Sequence, residues 1–209
     1  MIAGERFEEA AEVGRRQVRN GAHILDVCLQ DPDRDETSDV IKFLDQLNRR
    51  VKAPIMIDST DASVIEESLK RLQGKSIINS INLEDGEERF QRVVPLARRY
   101  GAALVVGCID DDPNQAQAIT RERKLEIAQR SHRLLTENYG VAEEDIIFDP
   151  LTKTVLGVSN VSFGLPAAGR EVFNSVFLYH CTQAGLDMAI VNSEMMRGTP
   201  SIPEETHTV

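Results

Sequence analysis

Short apolar runs that do not alternate with polar residues read as strands covered on both faces. This chain holds eight of them: Ile2 to Glu5, His23 to Val27, Pro54 to Asp58, Ser76 to Ile81, Ala103 to Ile109, Ile146 to Asp149, Thr154 to Ser159 and Met188 to Asn192. Amphipathic stretches lie between most of them, over about Phe7 to Asn20, Glu36 to Val51, Asp61 to Leu72, Gly86 to Tyr100, Thr120 to Tyr139 and Arg170 to Ala184. In the second of these Val40, Ile41, Leu44 and Leu47 recur at helical spacing, as do Phe90, Val93, Val94 and Ala97 in the fourth. Gly21, Gly101, Gly140 and Gly185 each close a helical stretch ahead of a run, where a helix C-terminus takes a residue free to adopt positive φ.

Strands alternating with helices predict an α/β fold, a (β/α)8 TIM barrel, with an open doubly wound sheet as the alternative. No Gly-rich phosphate fingerprint follows the first run, which counts against a dinucleotide fold. Two places break the repeat. Only Pro150-Leu-Thr-Lys153 separates the sixth run from the seventh, whereas parallel neighbours need a crossover of a dozen residues or more. After Met188 to Asn192 the tail has two prolines and little apolar periodicity. The expected barrel therefore lacks the helix after its sixth strand and its last helix, consistent with 209 residues where such a barrel takes about 250. Residues 1–194 are expected to form the barrel domain and 195–209 a C-terminal tail.

The charge balance narrows the partners. Lys and Arg number 24 against 34 Asp and Glu, a net charge of -10, so no clustered positive surface is offered to nucleic acid. No run of about 18 apolar residues suggests a membrane span, and no secretory signal opens the chain, so a cytoplasmic location is expected. Cys28, Cys108 and Cys181 have neither disulfide-framework nor zinc spacing; Cys28 and Cys108, at the ends of apolar runs, read as small buried hydrophobes, with a site role as the alternative.

In a parallel barrel the chemistry lies where strands end and loops begin. Asp26, Asp58, Asn79, Asn82, Asp110, Asp149, Asn160 and Asn192 fall at such ends, joined by Ser59, Ser80, Ser159 and Ser162. Carboxylates and amides dominate this rim, with no Lys, His pair or Ser/His/Asp set for nucleophilic catalysis. It suits a neutral heterocycle rich in N–H donors and ring nitrogens: ionised Asp accepts, and Asn both donates and accepts. Other readings stay open. Asp26 precedes the acidic Asp31-Pro-Asp-Arg-Asp-Glu36 and fits a solvated loop, and Thr60 or Asp61 fits a helix cap. Asp110-Asp-Asp-Pro113 reads as a solvated loop rather than a metal site.

Four ordered motifs carry a family pattern: Ala53-Pro-Ile-Met-Ile-Asp-Ser-Thr60, Ile78-Asn-Ser-Ile-Asn-Leu-Glu-Asp-Gly86, Phe148-Asp-Pro-Leu151 and Leu156-Gly-Val-Ser-Asn-Val-Ser-Phe-Gly-Leu-Pro166, with Val191-Asn-Ser-Glu194 beyond them. Together they resemble the pterin-binding (folate) domain of cobalamin-dependent methionine synthase. Corrinoid methyltetrahydrofolate methyltransferases and, more distantly, dihydropteroate synthases are expected to share the barrel.

The resemblance implies a TIM barrel that binds 5-methyltetrahydrofolate at its strand C-termini and passes the N5 methyl group to cob(I)alamin. The cobalamin would be carried by another domain or chain, as a step of methionine synthesis. It implies that Asp58, Asn79, Asp149 and Ser162 bind the substrate, with Asn160 near N5 and Asn160 and Asp58 catalytic; no metal site is implied. Departures accompany it: Phe7 follows Ile2-Ala-Gly-Glu-Arg6 at once where the family has a Thr- and Asn-containing loop, and a loop and helix are absent after Leu151. A non-catalytic or truncated pterin-binding module is the alternative these omissions suggest, and a dihydropteroate synthase-like enzyme is a further one.

Overall fold

The computed structural model describes residues 1–114, 116–149, 155–158, 162, 166–186 and 188–192. Five strands, β1 (Leu25–Val27), β2 (Ile55–Asp58), β3 (Ile77–Ile81), β4 (Ala103–Gly107) and β5 (Ile146–Asp149), form one sheet in chain order. Every neighbouring pair is parallel, with Asp58 opposite Asn79 and Gly107 opposite Asp149. All five strand C-termini thus lie along one edge. β6 (Val155–Gly157) and β7 (Met188–Ile190) pair in parallel as a second sheet. β5 and β6 belong to different hydrogen-bonded sheets, as the shortness of their connection requires.

Between the strands lie α1 (Phe7–Arg19), α2 (Glu36–Leu47), α3 (Ala62–Leu69), α4 (Glu88–Tyr100), α5 (Arg121–Arg133) and α6 (Ala167–Gln183). Their starts follow from side-chain chemistry. Asp35 accepts from the Ser38 amide at 3.1 Å, Asp61 from Ser63 at 2.8 Å and Thr120 from Arg123 at 3.2 Å, satisfying N–H groups the first helical turn leaves open. Gly101, at φ 70°, ends α4 in the left-handed region that glycine enters without steric cost.

One expected strand is absent from its place. Ile2 to Gly4 forms a single 3₁₀ turn rather than a strand. The N–H groups of Gly4 and Arg6 bond back to the Met1 carbonyl and that of Glu5 to Ile2, so the segment satisfies itself locally and offers no ladder. Among the described residues, seven of the eight apolar runs contain a strand.

Strand alternation divides the buried residues by face. Leu25, Ile55, Ile57, Ile78, Leu104, Val106, Ile146 and Phe148 point outward against α1 to α5, where Phe90, Leu44 and Ile65 are fully enclosed. Met56, Ile77, Ala103, Val105 and Ile147 point the other way and pack with Ile24 and with Ile190 of β7. No residue of a described helix joins this inner layer. Helices on one face and a strand-lined interior on the other are the mark of a barrel wall; a doubly wound sheet carries helices on both faces.

Candidate functional site

The inner layer fixes what stands above it. Two residues beyond Ile24, Met56, Ile77, Val105 and Ile147 come Asp26, Asp58, Asn79, Gly107 and Asp149, on the same face and at the C-terminal edge of the sheet. The strands therefore present three carboxylates and an amide over an apolar floor. Gly107, between Asn79 and Asp149 in strand order, adds no side chain and leaves that part of the mouth open.

These groups are coupled. The Asn79 amide donates to the Asp26 carboxylate, and the Cys28 thiol donates to Asp58. The Ser59 amide reaches the Asn79 carbonyl at 3.3 Å, tying the ends of β2 and β3. Asp26 keeps an exposed flank, yet protein crowds its carboxyl enough that desolvation, with the Asp58 charge adding to it, pushes its pKa up to about 6 despite the Asn79 bond. Burial also raises Asp58, against the Cys28 bond, and Asp149, against the charge of Lys124. Such acceptors are partly desolvated and gain from N–H donors brought by a ligand, because a donor stabilises the ionised form.

Sequence reasoning grouped Asp58, Asn79 and Asp149 correctly on one edge. Ser162 is fully buried and accepts from Arg170 Nε on α6 at 3.5 Å, while Asn192 stands exposed just beyond β7. Asn82 turns back to accept from the Glu84 amide at 3.1 Å. Asn160 and Ser159 lie outside the described residues.

Asp110 is no solvated loop residue. It is 4% exposed, and Arg123 Nη2 of α5 reaches both its oxygens at 2.7 Å while Arg130 holds Asp111 at 2.7 Å. Cys28 is exposed at the mouth rather than a buried hydrophobe, whereas Cys108 is buried as expected. Lys124 went unnoticed in the sequence because it sits in a helix; its charge reaches Asp149 from the first turn of α5.

A cleft of about 440 Å³ opens beside the mouth, between the loop after β1 and the start of α3. Its carboxylates include Asp35 and Asp61, already engaged as helix caps, and none of the five inward strand-end residues lines it. No described helix is long and apolar enough to cross a membrane.

The chain is 37% identical to methionine synthase of Mycobacterium tuberculosis, across the whole chain but only 20% of that protein. It is 36% identical to that of Mycobacterium leprae across 98% of the chain, again over 20% of the relative. The chain thus spans about a fifth of the length of these curated relatives. The first alignment runs over 243 positions against 209 residues here, so the relative carries segments this chain lacks.

Crystal structures of dihydropteroate synthase share the fold. The Stenotrophomonas maltophilia enzyme superposes with a TM-score of 0.67 at 15% identity, over 90% of this chain and 83% of that one. The Thermus thermophilus enzyme gives 0.64 at 22%, over 90% and 85%. The family model described as pterin binding enzyme matches residues 1–155, from the 3₁₀ turn to the start of β6. With the strand-end carboxylates and the strand-lined interior, that match makes the chain a member of the pterin-binding enzyme family, built on a truncated (β/α)8 TIM barrel.

Proposed function

We propose that this chain binds 5-methyltetrahydrofolate at the mouth and transfers its N5 methyl group to cob(I)alamin held by another domain or chain, as a step of methionine synthesis. The observation that carries the reading is the row Asp26, Asp58, Asn79 and Asp149 one step above an apolar floor. A reduced pterin has a planar pyrimidinone half edged with N–H donors, fused to a saturated, puckered ring. Its ring would rest on Met56, Ile77, Val105 and Ile147 while Asp58 and Asp149 accept its N–H groups. Asn79, its NH₂ given to Asp26, keeps its carbonyl for the ring. Likeness to methionine synthases favours the methyl-bearing folate over other pterins.

The amine N5 leaves well only when it carries a proton as the carbon–nitrogen bond breaks and the electron pair returns to it. Asn160, assigned near N5 by the family motif, favours that positive charge in the transition state, and Asp58 supports it through water. Ser162, which accepts from Arg170, is assigned to substrate binding by the family motif alone. The corrinoid supplies the nucleophile that accepts the methyl group. Asp26 and Asp149 are exposed, so the mouth leaves room for a second domain to approach.

The test is methyl transfer to free reduced cobalamin, followed by absorbance, beside a folate-binding titration. Asn160→Ala should cut transfer far more than binding, and Asp149→Ala should weaken binding itself; unchanged turnover in both sinks the proposal.

The missing alignment segments favour a second reading, a non-catalytic pterin-binding module. It predicts saturable folate binding without any cobalamin methylation. Lys124 beside Asp149 and Arg170 beside Ser162 are cations that a dihydropteroate synthase-like chemistry would need for a pyrophosphate. A coupled assay with pterin pyrophosphate and p-aminobenzoate should yield no product.

A further inference from the structure

Arg89 stands in the first turn of α4, half-buried, at the end of a helix where the macrodipole disfavours a cation. Among the described residues no carboxylate pairs with it. Its guanidinium instead donates to three backbone carbonyls: Nη1 to Thr60 at 2.5 Å, Nη2 to Ser59 at 2.8 Å and to Ser80 at 3.2 Å, and Nε to Ser80 at 3.3 Å. Ser59 and Ser80 directly follow Asp58 and Asn79. The two strand ends that carry the central acceptors of the mouth are thus held by one planar fork.

We infer that Arg89 is a positioning residue for the pterin, fixing the ends of β2 and β3 so that Asp58 and Asn79 meet one ligand edge together. This rests on the reading of the mouth as a pterin site. The geometry needs Arg: three carbonyls, two from the loop after β2 and one from the last residues of β3, match a rigid fork with separate N–H groups, and an ammonium has no such spread. The Ser59 amide bond to the Asn79 carbonyl, 3.3 Å long, is the contact the fork protects. Arg89 does not touch the ligand; it sets the spacing of the groups that do.

The experiment compares the chain with Arg89→Ala and Arg89→Lys, well below their unfolding temperatures, in two readouts. Affinity for 5-methyltetrahydrofolate should fall about tenfold or more in Arg89→Ala, little better in Arg89→Lys, and recover when millimolar guanidinium ion is added to Arg89→Ala. Amide exchange at Ser59 should quicken about tenfold in Arg89→Ala while Leu104, buried in β4, keeps its protection. Unchanged affinity with unchanged Ser59 exchange overturns the inference. So does faster exchange at Ser59 and Leu104 together without guanidinium rescue, the result of general destabilisation. If the unaltered chain does not bind the folate, the pterin reading fails and with it the role toward the pterin, and exchange judges only the fixing of β2 and β3: a selective gain at Ser59 upholds that tie and no change refutes it.

Discussion

Replacing Asp26 by Asn should flatten the pH dependence of pterin binding on the acid side of neutrality. With a midpoint of about 6, the Asp26 carboxyl is protonated in roughly one molecule in ten at pH 7 and roughly nine in ten at pH 5. The ionised form accepts the Asn79 NH₂ more strongly than the protonated acid, whose O–H can instead donate to the amide carbonyl and turn it away from the ligand. If the ionised form is the binder, affinity drops about tenfold between pH 7 and pH 5. Asp58 and Asp149 face the same mouth with raised midpoints of their own, so some slope survives in any variant. Asn at position 26 stays neutral throughout, and the inflection near pH 6 should vanish.

The same shift speaks about stability. The folded chain holds the Asp26 proton more tightly than the unfolded chain, so between the ordinary carboxylate range and about pH 6 stability falls as pH rises. At neutral pH the ionised carboxylate is a net burden on the fold. Asp26→Asn should therefore raise the melting temperature near pH 7 and leave it little changed near pH 4. Carboxyl ¹³C NMR on labelled protein reads the midpoint directly, and pterin fluorescence titration reads the affinity. A midpoint in the ordinary Asp range, or an Asn variant that retains the full inflection near pH 6, refutes the coupling.

Gly107→Ala should leave folding nearly intact, since the added Cβ meets only ordinary contacts at 3.6 and 3.8 Å, but should weaken pterin affinity by narrowing the mouth, which the binding titration reads. Phe90→Ala removes a fully buried ring that also faces Tyr139 at 6.4 Å, and should lower the unfolding free energy by about 4 kcal/mol in a urea titration. Thr120→Ala deletes the cap that accepts the Arg123 amide and should cost about 1 kcal/mol in the same titration.

The strands of the barrel wall were legible because they are buried on both faces: β2 and β4 give Ile55 to Ile57 and Ala103 to Val106 as unbroken apolar runs. Position at a strand end then found Asp58, Asn79 and Asp149 together. Ile2 to Gly4 misled because an apolar dipeptide beside glycine satisfies a local turn as readily as a ladder. Asp110 misled for the opposite reason. Its partners Arg123 and Arg130 lie 13 and 20 residues away, and only the α5 helix, by placing them two turns apart on one face, brings both to the acidic loop. Lys124 and Arg89 escaped in the same way: a search along strand ends does not see helix residues whose long side chains reach back over the edge.

The raised carboxylates follow from the apolar floor and not from any charge cluster alone. For Asp26, Asp58 and Asp149 alike, burial is the largest cause of the shift, and each sits one strand step above an apolar side chain. Partners inside the chain offset burial only in part: Asn79 for Asp26, Cys28 for Asp58, Lys124 for Asp149. A site so arranged holds acceptors that water does not fully satisfy and that a donor-edged ring would. The same burial that makes the mouth costly to the empty fold supplies the advantage of a ligand rich in N–H groups, so variants that relieve the cost, Asp26→Asn first, should trade affinity for stability.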